Sequence, residues 1–450
     1  MKLELAVLIL FGLTIILPLS WRNCVKLVLV MVVIEGAIRK WILPGASQYI
    51  YFAKDFFMLA AYLKYYSVPR TTIKVRDDPL LRYLVLIAGT VCVVQVANLN
   101  LGHPLVGILG ARNYLLYIPL MFIMRDLFTS QEDLHRFLRR YLALTIPVCL
   151  LAIKQHFSPA DSIYNTYAWG NEELGRGYIG SAVRVTGTFS YIAGYSAYLQ
   201  TCAALVIPLF IIEHTTFWKW IFRFVLISIV VGILLTGSRG PMVVVGLFFV
   251  SYFFLNRVVR KLGLFKRYLM PAIFCVIPLL TWFGVQIAAF EHRFSESGDL
   301  RWRILSAFFA PITHMEYSGL FGFGTGSTYQ GSGPLRQMFG LPEGTPIPVW
   351  VEGEPERIML ELGPIGFIAW YFMRLRIIVA LWQTFTRLTL PLLRELALTA
   401  FLVHLILFLG QMVFHITFLV YFWFLAGFIF LLPQLEWLEL NRRKEEPEES

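Results

Sequence analysis

The chain has 450 residues, of which 58% are hydrophobic and 15% are charged, and its formal net charge is +11. An ordinary soluble domain is about a quarter charged, so this composition excludes a conventional soluble enzyme. Apolar stretches of about 20 residues, long enough to cross roughly 30 Å of hydrocarbon, recur along the whole chain. Because a helix satisfies its own backbone groups in lipid, we expect an all-α, polytopic transmembrane helical bundle.

We predict about 12–13 membrane spans with short charged connections between them. The first apolar stretch lacks a basic start and a small-residue cleavage pattern, so it is interpreted as a retained helix and not as a signal peptide. The predicted spans are 3–20, 25–43, 49–66, 80–97, 104–124, 137–156, 188–212, 218–236, 241–256, 268–290, 357–378, 395–412 and 415–433.

Lysine and arginine cluster in alternate connections, which the positive-inside rule places in the cytoplasm. These basic connections are 64–82, 125–140, 257–267, 374–394 and 442–444. The basic runs are interpreted as topology signals and lipid headgroup contacts, with no nucleic acid as a partner. The segments left on the outer side are the N-terminus, 98–103, 157–187, 237–240, 291–356 and 413–414.

No linker or internal repeat divides the chain, so residues 1–433 are predicted to form a single integral membrane domain. Residues 434–450, which end in RRKEEPEES, are predicted to be a disordered cytoplasmic tail. The outer segments 157–187 and 291–356 are longer than a connection needs, and long loops are usually functional or disordered. Within the second, 299–315 has apolar residues at helical spacing and is expected to form an amphipathic helix at the membrane surface.

The two long outer segments and the turn TGSRGP contain arginine but no lysine. The planar guanidinium grips phosphate or carboxylate oxygens in pairs, so this pattern indicates an anionic ligand, unless the arginines simply pair with acids of the same loop. Arg239 has no acidic residue within about twenty positions, which favours a ligand most strongly there. The other arginines are Arg176, Arg184, Arg293, Arg301, Arg303 and Arg336.

Four carboxylates lie where the large outer loop enters the next span: Glu352, Glu354, Glu356 and Glu361. Carboxylates near a helix N-terminus cap it, but one that faces a polar cavity can instead act as a general base. The histidines show no metal-ligand spacing, and the cysteines suggest no disulfide framework, so neither a metal nor a cofactor is expected.

Charged residues also occur at the ends of early spans. Glu35 and Arg39 are expected to pair at i,i+4, with Lys40 next to them, while Asp55 and Arg112 are weaker candidates for function.

Three pieces, in this order, resemble the bacterial O-antigen ligase and O-antigen polymerase superfamily. They are TGSRGP (236–241), RFSESGDLRWRI with YSGLFGFGTGS (293–327), and VEGEPERIMLELGPIGF (351–367). The resemblance covers roughly 180–430 and implies a GT-C-like helical fold. It also implies metal-independent glycosyl transfer from undecaprenyl-diphosphate-linked glycans to a glycan acceptor, on the outer face of the bacterial inner membrane, for O-antigen or exopolysaccharide.

The resemblance also assigns roles to residues. Arg239, Arg293 and either Arg301 or Arg303 would bind the diphosphate. Many ligases carry a histidine at the loop exit, and Glu352 holds its place here, with Glu354 in reserve as the catalytic carboxylate. The absence of that histidine favours polymerisation over ligation, and a chain-length regulator is then a candidate partner.

Two other hypotheses remain open from the sequence. A transporter or flippase would move a lipid-linked or small solute without chemistry, and it would show charged sites in broken helices. A non-catalytic assembly protein of the cell envelope would have lost the activity together with the histidine.

Overall fold

A computed structural model describes residues 16–69, 75–168, 178–179, 182–256, 298–351 and 353–445. The described residues are predominantly helical, and one short antiparallel hairpin pairs β1 (Tyr178–Ile179) with β2 (Ala182–Val183). The α-helices are α1 (Trp21–Ala37), α2 (Ser47–Tyr51), α3 (Ala53–Tyr66), α4 (Pro79–Val94), α5 (Pro104–Leu115), α6 (Ile118–Ile123), α7 (Gln131–Ala143), α8 (Thr145–His156), α9 (Ile192–Ile212), α10 (Thr216–Thr236), α11 (Arg239–Leu255), α12 (Gly298–Ser318), α13 (Ser332–Phe339), α14 (Glu354–Arg387), α15 (Pro391–Ile406), α16 (Ile416–Ala426) and α17 (Phe428–Glu445).

Several helical segments of the described chain are apolar and long enough to cross a membrane, as predicted. There are six of them: Pro79–Ala97, Pro104–Asp126, Ile192–Ile212, Thr216–Thr236, Glu354–Arg387 and Ile416–Glu445. The class of helical multi-pass membrane protein is therefore confirmed. The count of 12–13 stays a prediction, since most of 3–20 and all of 268–290 fall outside the described residues and other predicted spans contain shorter helices.

The centre of the bundle is α9, which is apolar on all sides. Such a helix is stable only when neighbours surround it, and α9 packs against α10, α11, α15 and α16. Its Tyr195, Tyr198 and Cys202 are fully buried.

Polar contacts between distant segments gather at two ends of the bundle. We call one end the Asp78 end: there Arg376 pairs with Asp78, just before α4 begins, at 2.6 Å. We call the other the Tyr51 end: there Asn98, which follows α4, donates a hydrogen bond to the Gly322 carbonyl at 3.0 Å. The 16 residues of α4 separate these contacts by about 24 Å.

Segments predicted to be outer contact one another at the Tyr51 end, and segments predicted to be cytoplasmic contact one another at the Asp78 end. Trp41 bonds to the Ile163 carbonyl at the first, and Arg22 bonds to the Asp126 carbonyl at the second. This grouping agrees with the predicted alternation. Which end faces the cytoplasm stays a prediction.

The chain doubles back inside α14. Gly363 has φ 67° and ψ 178°, a backbone conformation essentially reserved for glycine, and it divides α14 into a short helix, 354–362, and a long one, 364–387. Residues 20 apart in a straight helix would lie about 30 Å from each other. Arg374 instead pairs with Glu354 at 2.9 Å, so the short helix folds back along the long one.

Two predictions for this part of the chain need correction, and a third is confirmed. Arg374 is buried within the bundle and not in a cytoplasmic connection, because Glu354 pairs with it there. The helix predicted over 299–315 is confirmed: it extends over Gly298–Ser318 and packs against α14, while its place at the membrane surface stays a prediction. The tail predicted to be disordered from residue 434 is helical as far as Glu445, because Gln434 and Leu435 are buried and Arg442 and Arg443 pair with Glu439.

Candidate functional site

The turn TGSRGP connects α10 to α11 at the Tyr51 end. Gly237, with φ 60°, ends α10, and Arg239 is the first residue of α11 and half-buried. Arg184 reaches this turn from the segment 157–187: its Nε donates to the Thr236 carbonyl at 2.8 Å and its other nitrogen donates to Ser238 Oγ. Two arginines therefore lie at the N-terminus of a helix, where free N–H groups and the helix dipole favour an anion.

An apolar gap lies along α11 below this turn. Val244, Val245 and Phe248 of α11 line it, together with residues of α9, α15 and α16. They follow Arg239 by five to nine residues, which corresponds to about 8–14 Å along the helix. The arginine turn is thus next to an apolar surface within the bundle.

Four of the predicted site residues are not described in full. Arg293 and Glu352 lie outside the described residues. Arg301 and Arg303 lie in the first turns of α12, where the structure describes the backbone alone. Their proposed roles therefore stay predictions.

Glu354, predicted as the reserve catalytic carboxylate, lies in the interior of the bundle. One oxygen pairs with Arg374, and the other accepts the backbone N–H groups of Met412 and of Val413, the latter at 2.6 Å. Both side chains of the pair are almost fully buried, with 1% of the Arg374 side chain and none of the Glu354 side chain exposed. Both carboxylate oxygens of Glu354 therefore have partners, and these contacts join α14 to the segment before α16.

The other two loop-exit carboxylates also have partners. Glu356 accepts the backbone N–H of Gly353 at 3.4 Å, so the predicted capping role is confirmed for this residue. Glu361 accepts the hydroxyl of Thr328 at 2.7 Å and that of Tyr114 at 3.0 Å. Glu361 thereby fixes the glycine-rich segment of the large loop to α5.

The densest group of charges at the Tyr51 end surrounds the ring of Tyr51. Three cations lie over this ring: Lys54 at 4.7 Å from its centroid, and Arg39 and Arg112 both at 5.1 Å. A cation over an aromatic face is held by the ring quadrupole. We call this group the Tyr51 cluster, and its members are Glu35, Arg39, Tyr51, Lys54, Asp55, Arg112 and Tyr329.

Two carboxylates pair with cations in the Tyr51 cluster. Glu35 pairs with Lys54 and, as predicted, with Arg39, at 3.3 Å. Asp55 accepts Arg112 Nε at 2.7 Å. Glu35, Asp55 and their partners are buried or nearly so, so the pairs hold the ends of α1, α3 and α5 together.

Lys40 pairs with no carboxylate of the described chain. Its Nζ donates to Thr186 Oγ1 at 3.0 Å and to the Gly187 carbonyl at 2.8 Å, both uncharged, while 4% of the residue is exposed. Arg39 donates to Ser190 at 2.9 Å in the same segment. The residues just before α9 therefore contact the Tyr51 cluster.

Tyr329 covers the cluster from the large loop. Its hydroxyl is 2.7 Å from that of Tyr51, 278 residues earlier in the chain. Burial raises the pKa of Tyr329 well above its usual value, so the hydroxyl stays neutral. The large loop is thus joined to the cluster through a pair of tyrosines.

Sequence reasoning found part of this site. It named Glu35, Arg39, Lys40, Asp55 and Arg112 as charges near span ends but did not bring them together. Lys54, Tyr51 and Tyr329 were missed. A signal was available for Lys54, which precedes Asp55 inside an apolar stretch, whereas no spacing rule indicates a contact as distant as that of Tyr329.

No group of three or more histidine, cysteine, aspartate or glutamate residues within the described ranges is placed to hold a metal ion. Searches against protein-family models, curated proteins and solved structures find no match for this chain.

Proposed function

We propose that the protein is a membrane glycosyltransferase that polymerises or ligates undecaprenyl-diphosphate-linked oligosaccharides for O-antigen or exopolysaccharide. The observation that supports this function is the arginine turn: Arg239 and Arg184 lie at the N-terminus of α11, whose exposed face is apolar and carries Val243, Leu247, Val250 and Phe254. A diphosphate with a long polyprenyl tail has the same two parts, an anion and an apolar chain.

In the proposed reaction an acceptor hydroxyl attacks the anomeric carbon of the donor glycan. A new glycosidic C–O bond forms, the bond from that carbon to the diphosphate breaks, and undecaprenyl diphosphate leaves. Arg239 and Arg184 stabilise the negative charge that develops on the diphosphate. Glu352 is the proposed base that takes the proton of the acceptor hydroxyl.

This function predicts that Arg239→Ala abolishes polymer formation. Removing a charge-assisted contact to the leaving group costs on the order of a hundredfold in rate or more. The assay combines purified protein with a defined lipid-diphosphate oligosaccharide and follows glycan length by mass spectrometry. Glu352→Gln is the second arm and is expected to stop extension without weakening donor binding.

The matched control is Arg140→Ala, which removes an exposed arginine in α7, near the Asp78 end. It should leave both chain extension and insertion unchanged. Normal polymer length and amount with Arg239→Ala would refute the function.

The broken helix of α14 supports a second candidate, a transporter or flippase. Secondary transporters place charged sites in broken helices deep in the bundle, and the buried Glu354 and Arg374 pair joins the two parts of the helix that breaks at Gly363. The same purified protein in liposomes separates the two functions: movement of lipid-linked glycan between leaflets with no change in glycan length would favour transport.

A further inference from the structure

The large loop enters the bundle before α14 begins. At the Tyr51 end, Thr345 of this loop donates its backbone N–H to the Asn100 carbonyl at 2.8 Å. Leu360 of the short helix lies at the same end, because its carbonyl accepts the N–H of Phe323, in the glycine-rich segment, at 2.7 Å. The short helix folds back along the long one, so Glu354, six residues before Leu360, lies about 9 Å further inside. The chain between Thr345 and Glu354 therefore descends into the bundle.

The descent reaches the depth of the hydrocarbon. The contacts at the two ends of the bundle are about 24 Å apart along the 16 residues of α4, which is less than the roughly 30 Å of hydrocarbon in a bilayer. A point several ångströms inside the Tyr51 end therefore lies within the hydrocarbon layer. Backbone that is not helical occurs at such a depth only where it is buried in protein or lines a water-filled cavity.

The descending segment, residues 345–351, is not buried in protein. It is neither helical nor part of a strand, and none of its residues is fully buried. Pro346 and Pro348 are exposed, and Trp350 is 87% exposed. Lipid offers no hydrogen bond to the backbone of such a segment, so its exposed side requires water.

Arg357, in the short helix, is a second indication of water at this depth. It is half-buried, and a charged side chain within the hydrocarbon layer faces the bundle interior or water and not lipid. One of its terminal nitrogens is 3.5 Å from the Thr328 carbonyl, and the guanidinium lies 5.2 Å from the centroid of the Phe414 ring. Its Nε is buried and has no hydrogen-bond partner among the described residues. The guanidinium, which has five N–H donors, can therefore still bind a ligand.

We propose that residues 345–351 line a water-filled vestibule that opens at the Tyr51 end, and that Arg357 binds there a phosphate or carboxylate group of the glycan substrate. The vestibule rests on the depth and exposure of the segment, and an anion fits the planar fork of arginine. Assigning that anion to a glycan rests on the proposed glycosyl transfer. The donor's diphosphate and an acidic sugar such as a uronate are the two sources of such a group.

Thiol labelling of the full-length protein in lipid nanodiscs tests the vestibule. Trp350→Cys places a thiol on the descending segment. Val93→Cys is the matched control: Val93 is 59% exposed on α4, and it lies about 7 Å inside Asn98, at a depth similar to that of Trp350. The native cysteines of the described ranges are buried, so the wild type supplies the background rate.

The reagent is a charged methanethiosulfonate, which does not enter lipid. We expect it to modify Trp350→Cys about tenfold faster than Val93→Cys or more, because only a thiol in water ionises to the reactive thiolate. Equal rates for the two variants, whether fast or slow, would overturn the vestibule.

Binding tests the role of Arg357. The protein is titrated with undecaprenyl diphosphate, with an oligosaccharide that contains glucuronate, and with the same oligosaccharide with glucose in its place. We expect Arg357→Gln to weaken binding of one anionic probe roughly tenfold or more, since one charge-assisted contact is lost, and to leave the neutral probe unaffected. The probe that responds identifies the source of the anion.

Two further variants complete this test. Arg357→Lys keeps the charge and should bind the responding probe more tightly than Arg357→Gln does. Arg136→Gln removes a surface arginine of α7 that pairs with Glu132, and it should bind all three probes as the wild type does. Equal affinities of Arg357→Gln and wild type for both anionic probes would overturn the anion site. A loss of equal size for all three probes would assign Arg357 a structural role and overturn it as well.

Failure of this inference is distinguishable from failure of the proposed function. If Arg239→Ala stops chain extension while Trp350→Cys and Val93→Cys react alike, the function stands and the vestibule does not. If no glycan is extended but Trp350→Cys reacts selectively and anion binding depends on Arg357, the vestibule and its anion site stand and the function does not.

Discussion

The two ends of the bundle hold their charges differently. At the Asp78 end, Arg82 pairs with Asp77 and Lys26 with Asp133 near the surface, whereas Arg376 pairs with the buried Asp78. At the Tyr51 end, four cations and two carboxylates are buried or nearly so. Solvent screens an exposed pair, whereas removing one partner of a buried pair leaves an uncompensated charge inside the protein. The arginine turn also lies at the Tyr51 end, so this is where we place ligand chemistry.

Burial alone does not indicate a ligand, because the side chains of Glu354 and Arg374 are more deeply buried than those of the ion pairs at either end. The pair is balanced, and each oxygen of Glu354 has a partner within the chain. Such a pair has a structural account that needs no ligand.

The balanced buried pair should show the largest effect on stability. We expect Glu354→Gln to destabilise the fold by about 3–5 kcal/mol, because Arg374 is left charged and buried without its carboxylate. The measurement is thermal or denaturant unfolding in detergent.

The double variant Glu354→Gln with Arg374→Gln is the control, since it removes both charges. It should recover much of the lost stability. If it regains stability and also extends glycans, Glu354 is structural. If it regains stability but stays inactive while Arg374→Gln alone extends glycans, Glu354 acts in the chemistry.

The sequence predicted what depends on local pattern. Apolar length identified the six long helices, and the spacing of Glu35 and Arg39 predicted their pair. The alternation of basic connections predicted which segments lie together, as the contact of Arg184 with the turn at 236–238 illustrates. These features are set by residues close in sequence or by the rule that a chain crosses the membrane and returns.

What depends on distant packing could not be predicted. Hydropathy shows a single uninterrupted apolar stretch directly after residue 356. The break at Gly363 was therefore not predicted, although Gly363 and Pro364 lie there. The contact between Tyr51 and Tyr329 joins loops from opposite halves of the chain. The grouping of charges around Tyr51 likewise emerges only once α1, α3, α5 and the segment before α9 are assembled.

Removing a carboxylate from the Tyr51 end should have the next largest effect. Asp55→Asn leaves the nearly buried Arg112 without its counter-charge. We expect a loss of about 3 kcal/mol in the free energy of unfolding, measured by melting in detergent without ligand.

Asp77→Asn is the matched control, because it removes the carboxylate of an exposed pair: the Arg82 and Asp77 side chains are 41% and 42% exposed. Solvent screens this pair, so Asp77→Asn should melt close to the wild type. Similar losses for the two variants would mean that burial does not set the strength of these pairs.

The smallest effect is expected at the Asp78 end, with Lys26→Gln. Lys26 is 3.4 Å from Asp133, and their side chains are 25% and 33% exposed. Solvent screens such a pair, so we expect a loss of at most about 1 kcal/mol that shrinks further as salt is added, measured by melting at low and high ionic strength. A loss as large as that of Asp55→Asn, or one that salt does not change, would mean that the charges at the Asp78 end are as tightly coupled as those around Tyr51. The distinction between a structural end and a ligand-binding end would then have to rest on the arginine turn alone.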